Sequence, residues 1–309
     1  MENLFDILER EHALDPERPI VIIGHIQPDG DCVGSSLGLH NLLKFNYGWD
    51  STVVNQKIDK LNFLGEWTLP GNVEYGHTLV VQVDNSVSNR SADPDFMKAD
   101  TVIKVDHHIV MESYGKYNIE KQISSCCEII AEEAIAHGLK FNEDAARCLY
   151  TGMVTDTGKF QYPGVNASTM RTAAVLLEAG FDMPDLISHL NSRTMEDVKF
   201  IAEAYNLVQQ TEKGVLWSYV KQEVIDRYHL TPGQVSGALQ TLRDVEGHPV
   251  HVLFADLGDK IRVEFRSDRV KLNQVATMFG GGGHAFAAGC RLDDASEIPA
   301  VLRELDKLI

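Results

Sequence analysis

The chain has 309 residues, 44% of them hydrophobic and 24% charged, which suits a soluble globular protein with two cores rather than one. Its net charge of −17 repels polyanions at long range unless a local cationic site reverses it, so small anionic substrates fit better than long duplexes or strands. The longest apolar runs are strand-sized, short of the ~20 residues a bilayer span needs. MENLFDILEREHAL at the start has helical spacing, not the basic start and apolar centre of an export signal. A cytoplasmic protein without membrane attachment is expected. Cys32, Cys126, Cys127, Cys148 and Cys290 show no metal-type pairing, as for reduced thiols.

Along the first half, strand-like and helical patterns alternate. The run IVIIG (20–24) leads through HIQPDGD into an amphipathic stretch at 32–45, then STVVNQ (51–56). After a less regular patch come LVVQVD (79–84) and TVIKVD (101–106). Ser125 with Glu128 makes a capping box for a helix over 125–137, where Ile130, Ala131, Ala134 and Ile135 recur and Gly138 supplies the stop. Asn142, Glu143 and Asp144 open a helix that delivers Asp156 near its end, and Asn166 to Leu177, closed by Gly180, forms another.

Short β-branched runs between helices predict buried parallel strands, hence a doubly wound, mainly parallel α/β sheet. From 184 to 210 the pattern is helical, with Thr194 and Asp197 as a cap. Beyond it, 214–220, 251–257 and 260–267 predict strands, the last two a hairpin through Gly258-Asp259. Helical patterns at 232–243, 271–279 and 296–308 complete a smaller α/β domain. The expected division is a domain over 1–188, a helical connector over 189–212 and a second domain over 213–309.

Four segments place Asp or His at the carboxyl ends of expected strands or helices: His25, Asp29 and Asp31 in the first, then Asp84, then Asp106, His107 and His108, then Asp156. Ligands bind at that edge of an open α/β sheet. Singly, each has a plain structural account; Asp31 could cap a helix and Asp29-Gly30 could form a turn. Together they converge on one crevice. Imidazole with carboxylate suits Mn, Fe, Zn or Mg. The six ligand candidates His25, Asp29, Asp31, Asp84, His107 and Asp156 are too many for one open site and fit two metals about 3.5–4 Å apart, with Asp84 as the candidate bridge.

HIQPDGDCVGSSLGL, VDNS, VDHH and TGMVTDTGKFQY resemble, in order, the four motifs of the DHH phosphoesterase superfamily. The resemblance implies that the six residues above bind two divalent ions, usually Mn2+, with Mg2+ or Co2+ as alternatives. It gives His108 a place facing the scissile phosphate and Asp106 a supporting one, orienting a metal-bound imidazole.

Gly280–Gly283, followed by His284, is a second signal, because successive glycines can expose amides as an anion-binding nest beside a helix N-terminus. His284 could hydrogen-bond a phosphate. In KIRVEFRS, Ile261, Val263 and Phe265 alternate with Arg262, Glu264 and Arg266. FRS, Asn273 and FGGGGHAFAAG resemble the DHH-associated C-terminal domain. This implies that Arg266, His284, Gly281, Gly282 and Gly283 grip substrate phosphates, with Ser267 and Asn273 as lesser contacts. A similar arginine in relatives gives Arg90 the same role.

The two-domain arrangement resembles the nanoRNase and 3′-phosphoadenosine-5′-phosphate phosphatase branch. It implies hydrolysis of di- to pentaribonucleotides, linear pApA and 3′-phosphoadenosine-5′-phosphate to 5′-mononucleotides, with a homodimer as a possible assembly. Rivals are a cyclic-dinucleotide phosphodiesterase, a RecJ-like single-strand exonuclease, a manganese pyrophosphatase (whose second domain lacks the GGGH element) and an inactive nucleotide-binding sensor.

Overall fold

The β-branched runs form the centre of a parallel sheet, as their composition predicts. The computed structural model describes residues 2–309 apart from 240, 241, 243, 244, 268 and 284, and it divides into two units, Met1–Asn191 and Ser192–Ile309. The first begins with α1 (Leu4–Leu14), capped by Asn3, whose side chain accepts the Phe5 amide at 2.8 Å. Then come β1 (Ile20–Ile23), α2 (Gly30–Tyr47), β2 (Ser51–Val54), β3 (Leu79–Val83), β4 (Thr101–Asp106) and β5 (Tyr117–Glu120). Four helices follow: α3 (Cys126–His137), α4 (Glu143–Asp156), α5 (Ala167–Glu178) and α6 (Met183–Asn191). β5 has no clear sequence signal, since YNIE is half polar and buries only Ile119; pairing with β4 makes it a strand.

All five strands are parallel, in the order β2-β1-β3-β4-β5. Chain direction across the sheet reverses between β1 and β3, and a crevice opens there at the carboxyl ends. Right-handed crossovers put the connections either side of that point on opposite faces. α2 packs with Ile20, Ile22, Leu79 and Val81. From β3 to β4 the chain crosses the other face through short 3-10 turns, Ser88–Arg90 and Pro94–Lys98, where Phe96 covers Val21, Ile23 and Val80.

α2 departs from the amphipathic pattern expected of 32–45: every residue from Gly30 to Leu39 is buried, because the helix packs on both the sheet and α4. Gly30, Gly34 and Gly38 recur every fourth residue. A Cβ on Gly34 would lie 2.5 Å from the Cys148 carbonyl oxygen, and one on Gly38 2.6 Å from the Leu149 side chain. From the opposite helix, a Cβ on Gly152 would lie 2.2 Å from the Cys127 sulfur and 2.6 Å from an Asp31 carboxylate oxygen. These glycines give up about 1 kcal/mol of helix propensity each and let two backbones approach.

The second unit contains α7 (Met195–Asn206), β6 (Gln209–Gln210), β7 (Leu216–Val220), α8 (Gln222–Arg227), α9 (Pro232–Leu239), β8 (Val250–Asp256), β9 (Ile261–Ser267), α10 (Asn273–Met278), β10 (Gly282–Gly283), β11 (Ala287–Leu292) and α11 (Ile298–Asp306). Its sheet runs β10-β11-β9-β8-β7-β6, and only the β7–β8 pair is parallel. β8 and β9 form the expected hairpin, turning at Gly258 with φ +93°. AAGCRL lacks β-branched residues, and β11 becomes a strand through its register with β9, Ala288 opposite Phe265. The helix expected over 232–243 ends at Leu239 as far as the described residues go.

The helical stretch expected as a connector contains two helices with different allegiances. Leu186 of α6 joins the first unit's core, while Phe200 and Ala204 of α7 pack with Val220 and Leu253 in the second. Among the described residues, no helix is long and apolar enough to cross a membrane.

Gly34→Ala should push α2 from α4 and lower stability by about 1–3 kcal/mol, seen as a lower thermal midpoint. A Cβ on Gly76 meets nothing within 4 Å, so Gly76→Ala should be neutral. Equal midpoints for the two variants would contradict the packing account.

Candidate functional site

Three strand ends, two helix ends and their loops meet at the switch point. His25 lies just beyond β1, Asp84 just beyond β3, and Asp106 closes β4 ahead of His107 and His108. Asp29 caps α2, its carboxylate accepting the amides of Asp31 and Cys32 at 3.0 and 3.1 Å. Asp31 therefore does not cap α2, the plain account its sequence position offered. It lies in the first turn and reaches the N-terminus of α3, where the amides of Cys126 and Cys127 donate to it at 2.6 and 2.9 Å. Asp156 is the last residue of α4.

Asp84 is the centre of the cluster. Its carboxylate stands 3.3 Å from His25 Nε2, 3.4 Å from His107 Nε2 and 3.6 Å from His108 Nδ1. Its backbone is left-handed, with φ +55°, a conformation a non-glycine residue holds at a cost of order 1–3 kcal/mol. The Asp84 amide donates to the Val105 carbonyl at 2.9 Å, which helps hold that conformation. On the other side of His107, Nε2 is 3.2 Å from Asp156 and 3.8 Å from Asp31.

Both inner imidazoles are turned the same way. His25 Nδ1 is 2.8 Å from the Ile26 carbonyl, and His107 Nδ1 is 3.2 Å from that of Ile123. A carbonyl can only accept, so each Nδ1 carries the proton and each Nε2 points at carboxylates, the arrangement that presents a lone pair to a metal. Two groups of ligand atoms result, His25, Cys32 and Asp84 in one and Asp31, His107 and Asp156 in the other, each within 4.8 Å, and Asp84 with His107 and His108 forms a third that overlaps both. Cys32 Sγ accepts the His25 amide at 3.2 Å, and burial pushes its thiol up, so it is a packed neutral group.

Charge in the cluster is held in place by protons. Against its burial, Asp84 is kept ionised by the His107 and His25 imidazoles. Burial, then the Asp84 charge, pushes Asp31 up to about 7, and burial, then Asp31, raises Asp156. Against its own burial, His107 is raised well above its ordinary value by Asp84, Asp31 and Asp156. Asp84 Oδ1 is buried without a hydrogen-bond partner. Carboxylates crowded this closely, with an oxygen among them that lacks a hydrogen bond and two imidazole Nε2 atoms turned inward, fit divalent cations once those protons are displaced.

His108 is the more open histidine, with its side chain 32% exposed and Nδ1 held 2.8 Å from Asp106 Oδ1. Arg90 is exposed nearby; its carbonyl accepts the Ile26 amide at 2.8 Å, and Ser91 bridges to His25. No sequence signal had marked Lys104, fully buried behind Asp106, although a lysine inside TVIKVD was there to be noticed.

In the second unit, Arg266 is tethered, its guanidinium donating to the Phe265 carbonyl at 2.9 Å and to Glu264 at 3.3 Å. Arg262 also pairs with Glu264, at 2.9 Å. The glycine run differs from the nest expected beside a helix N-terminus. It follows the C-terminus of α10, and the amides of Gly280 and Gly281 donate to the carbonyls of Thr277 and Ala276. Gly282 and Gly283 then pair with β11. Contact with that strand demands glycine, since a Cβ on Gly281 would lie 2.0 Å from the Gly289 carbonyl oxygen and one on Gly283 2.7 Å from that of Ala287. Ser267 is buried, its hydroxyl accepting the amides of Arg269 and Val270, a turn role. Asn273 opens α10. His284 lies outside the described residues.

Residues 19–153 match the N-terminal domain of the DHH family, and residues 212–309 match the DHHA1 domain. The chain is 29% identical over 294 residues to the bifunctional oligoribonuclease and PAP phosphatase NrnA of Bacillus subtilis, covering 94% of each chain. It is 28% identical over 306 residues to the protein of the same name from Thermus thermophilus, covering 94% of this chain and 91% of that one. An exopolyphosphatase-related protein from Bacteroides fragilis shares the fold, with a TM-score of 0.84 at 20% identity over 99% of this chain and 96% of that one.

Protein stripped by a chelator and reloaded with Mn2+ at pH 7 should release protons, about one or more per chain, because the cations displace those on His25, His107, Asp31 and Asp156. Calorimetry in two buffers of different ionisation enthalpy reads this directly. Identical heats would contradict the proton-held cluster.

Proposed function

We propose, for a chain that carries a DHH family N-terminal domain followed by a DHHA1 domain, the hydrolysis of very short oligoribonucleotides, linear pApA and 3′-phosphoadenosine-5′-phosphate to 5′-mononucleotides. The family and the names of the relatives support the phosphoesterase class, and those names join an oligoribonuclease with a PAP phosphatase. The observation that carries the proposal is Asp84, placed between His25 and His107 with a buried oxygen that lacks a hydrogen bond.

His25, Asp29 and Asp84 would hold one divalent ion, and Asp31, His107 and Asp156 the other, with Asp84 shared. Mn2+ is the proposed ion, with Mg2+ or Co2+ as alternatives. Bound there, the pair would activate a water and offset charge on the phosphate oxygens. His108 would hydrogen-bond the scissile phosphate, and Asp106 fixes the ring by accepting from Nδ1. Arg90, exposed beside the His25 loop, would meet a second anionic group. Arg266, pre-oriented by Glu264, offers a planar fork for a substrate phosphate, and Gly281–Gly283, Ser267, Asn273 and His284 are the further contacts proposed in the same unit. A net charge of −17 agrees with substrates that need only a local cationic site.

Purified protein with Mn2+ and labelled di- to pentaribonucleotides should release mononucleotides, and chelated protein should not. No release above the chelated control would refute the proposal; preference for a cyclic dinucleotide would redirect it. Asp84→Ala should lower kcat more than about 100-fold and reduce bound Mn2+, since changes even behind a metal ligand cost 10–100-fold. Arg266→Ala should act on KM instead, raising it by about tenfold or more, as befits a lost charge-assisted hydrogen bond.

A further inference from the structure

Lys104 is the one lysine in the interior of β4, between Ile103 and Val105, and its side chain is 0% exposed. Isolating an ammonium from water costs several kcal/mol unless its surroundings compensate, and here all three of its hydrogens are spoken for. Nζ donates to the Glu112 carbonyl at 2.8 Å, to the Ser86 carbonyl at 3.3 Å and to the Glu120 carboxylate at 2.5 Å. It stands 3.5 Å from Asp106 Oδ2, a buried oxygen with no hydrogen-bond partner, and 5.1 Å from the centre of the Tyr114 ring.

Those contacts join the two loops that frame the site. Ser86 lies two residues beyond Asp84, and Glu112 lies four beyond His108. The loops are tied again at the surface, where the Glu112 carboxylate accepts the Ser88 amide at 2.8 Å and the Ser88 hydroxyl at 2.9 Å. The other oxygen of Asp106 accepts from His108. A chain of contacts therefore runs from the buried ammonium through Asp106 to the imidazole, and through Glu112 to the loop that follows it.

We propose that Lys104 is a positioning residue for His108: the ammonium fixes the Asp106 carboxylate that holds the imidazole, and pins the loops on either side of it. This rests on the proposed hydrolysis, in which His108 meets the phosphate. Replacement by methionine keeps the unbranched side chain as far as Cε and removes the charge and all three donors.

Two measurements test the proposal. In the first, Lys104→Met retains Mn2+ stoichiometry and loses about tenfold or more in kcat, with KM altered by less than about threefold; in a His108→Ala background the same change alters kcat by less than about twofold. An equal loss in both backgrounds assigns Lys104 a purely structural role and overturns the proposal. The second measurement is independent of turnover. In a 1H–15N spectrum of the imidazoles, Lys104→Met should shift or broaden the His108 Nδ1–H signal and leave those of His25 and His107 in place; an unchanged His108 signal overturns the proposal. Should Lys104→Met fail to fold, Lys104→Gln, which retains an amide donor for the loop carbonyls, takes its place in both measurements. If the wild type hydrolyses none of the substrates, the proposed function fails, and the imidazole spectrum alone decides for or against Lys104.

Discussion

Carboxylates repel one another, and this chain packs Asp31, Asp84, Asp106 and Asp156 around a single sheet edge. Nothing else in the first unit is so demanding, because a buried anion needs a specific partner. Each finds one. Asp31 takes two amides at the start of α3, Asp106 has Lys104 and His108, and Asp84 and Asp156 face His107. Strand ends, helix starts and a left-handed residue at Asp84 all serve that one electrostatic arrangement, whose donor set fits metal ions.

The close contact of α2 and α4 makes the geometry possible. Asp31 sits in the first turn of α2 and Asp156 in the last turn of α4, and Gly30, Gly34, Gly38 and Gly152 remove the side chains that would separate these helices. Helix propensity is given up so that two anions on separate elements can reach the same His107. In the second unit the economy is different. Glu264 lies buried between Arg262 and Arg266 and holds both guanidinium groups, so a cationic patch is built on a strand in a chain that is otherwise strongly acidic.

Much of this could be read in advance. IVII, LVVQV and TVIKV announce buried strands because β-branched runs of that length have few other uses, and the strand-end positions of Asp84 and His107 follow from them. β5 and β11 could not be read, since YNIE and AAGCRL are strands only because a neighbour offers an open edge. The glycines of α2 were visible at every fourth position, but a spacing does not say which partner comes close. Gly280–Gly283 shows the opposite error: the same four residues suit an anion nest and a tight strand approach, and only the position of α10 before them distinguishes the two.

What the chain determined unaided is chemical identity and local form. Its strands, caps and stops, and the Asp and His residues at their ends, are set by side-chain shape and by hydrogen bonds between near neighbours. Tertiary structure alone decided how those groups use their atoms. The pairing of Asp31 with α3 instead of α2, the inward turn of two Nε2 atoms and the contacts of buried Lys104 with Ser86, Glu112 and Glu120 join residues far apart in sequence or on different elements. Such contacts exist only once the sheet has its order and the helices their spacing, because electrostatic partners act through distance in space.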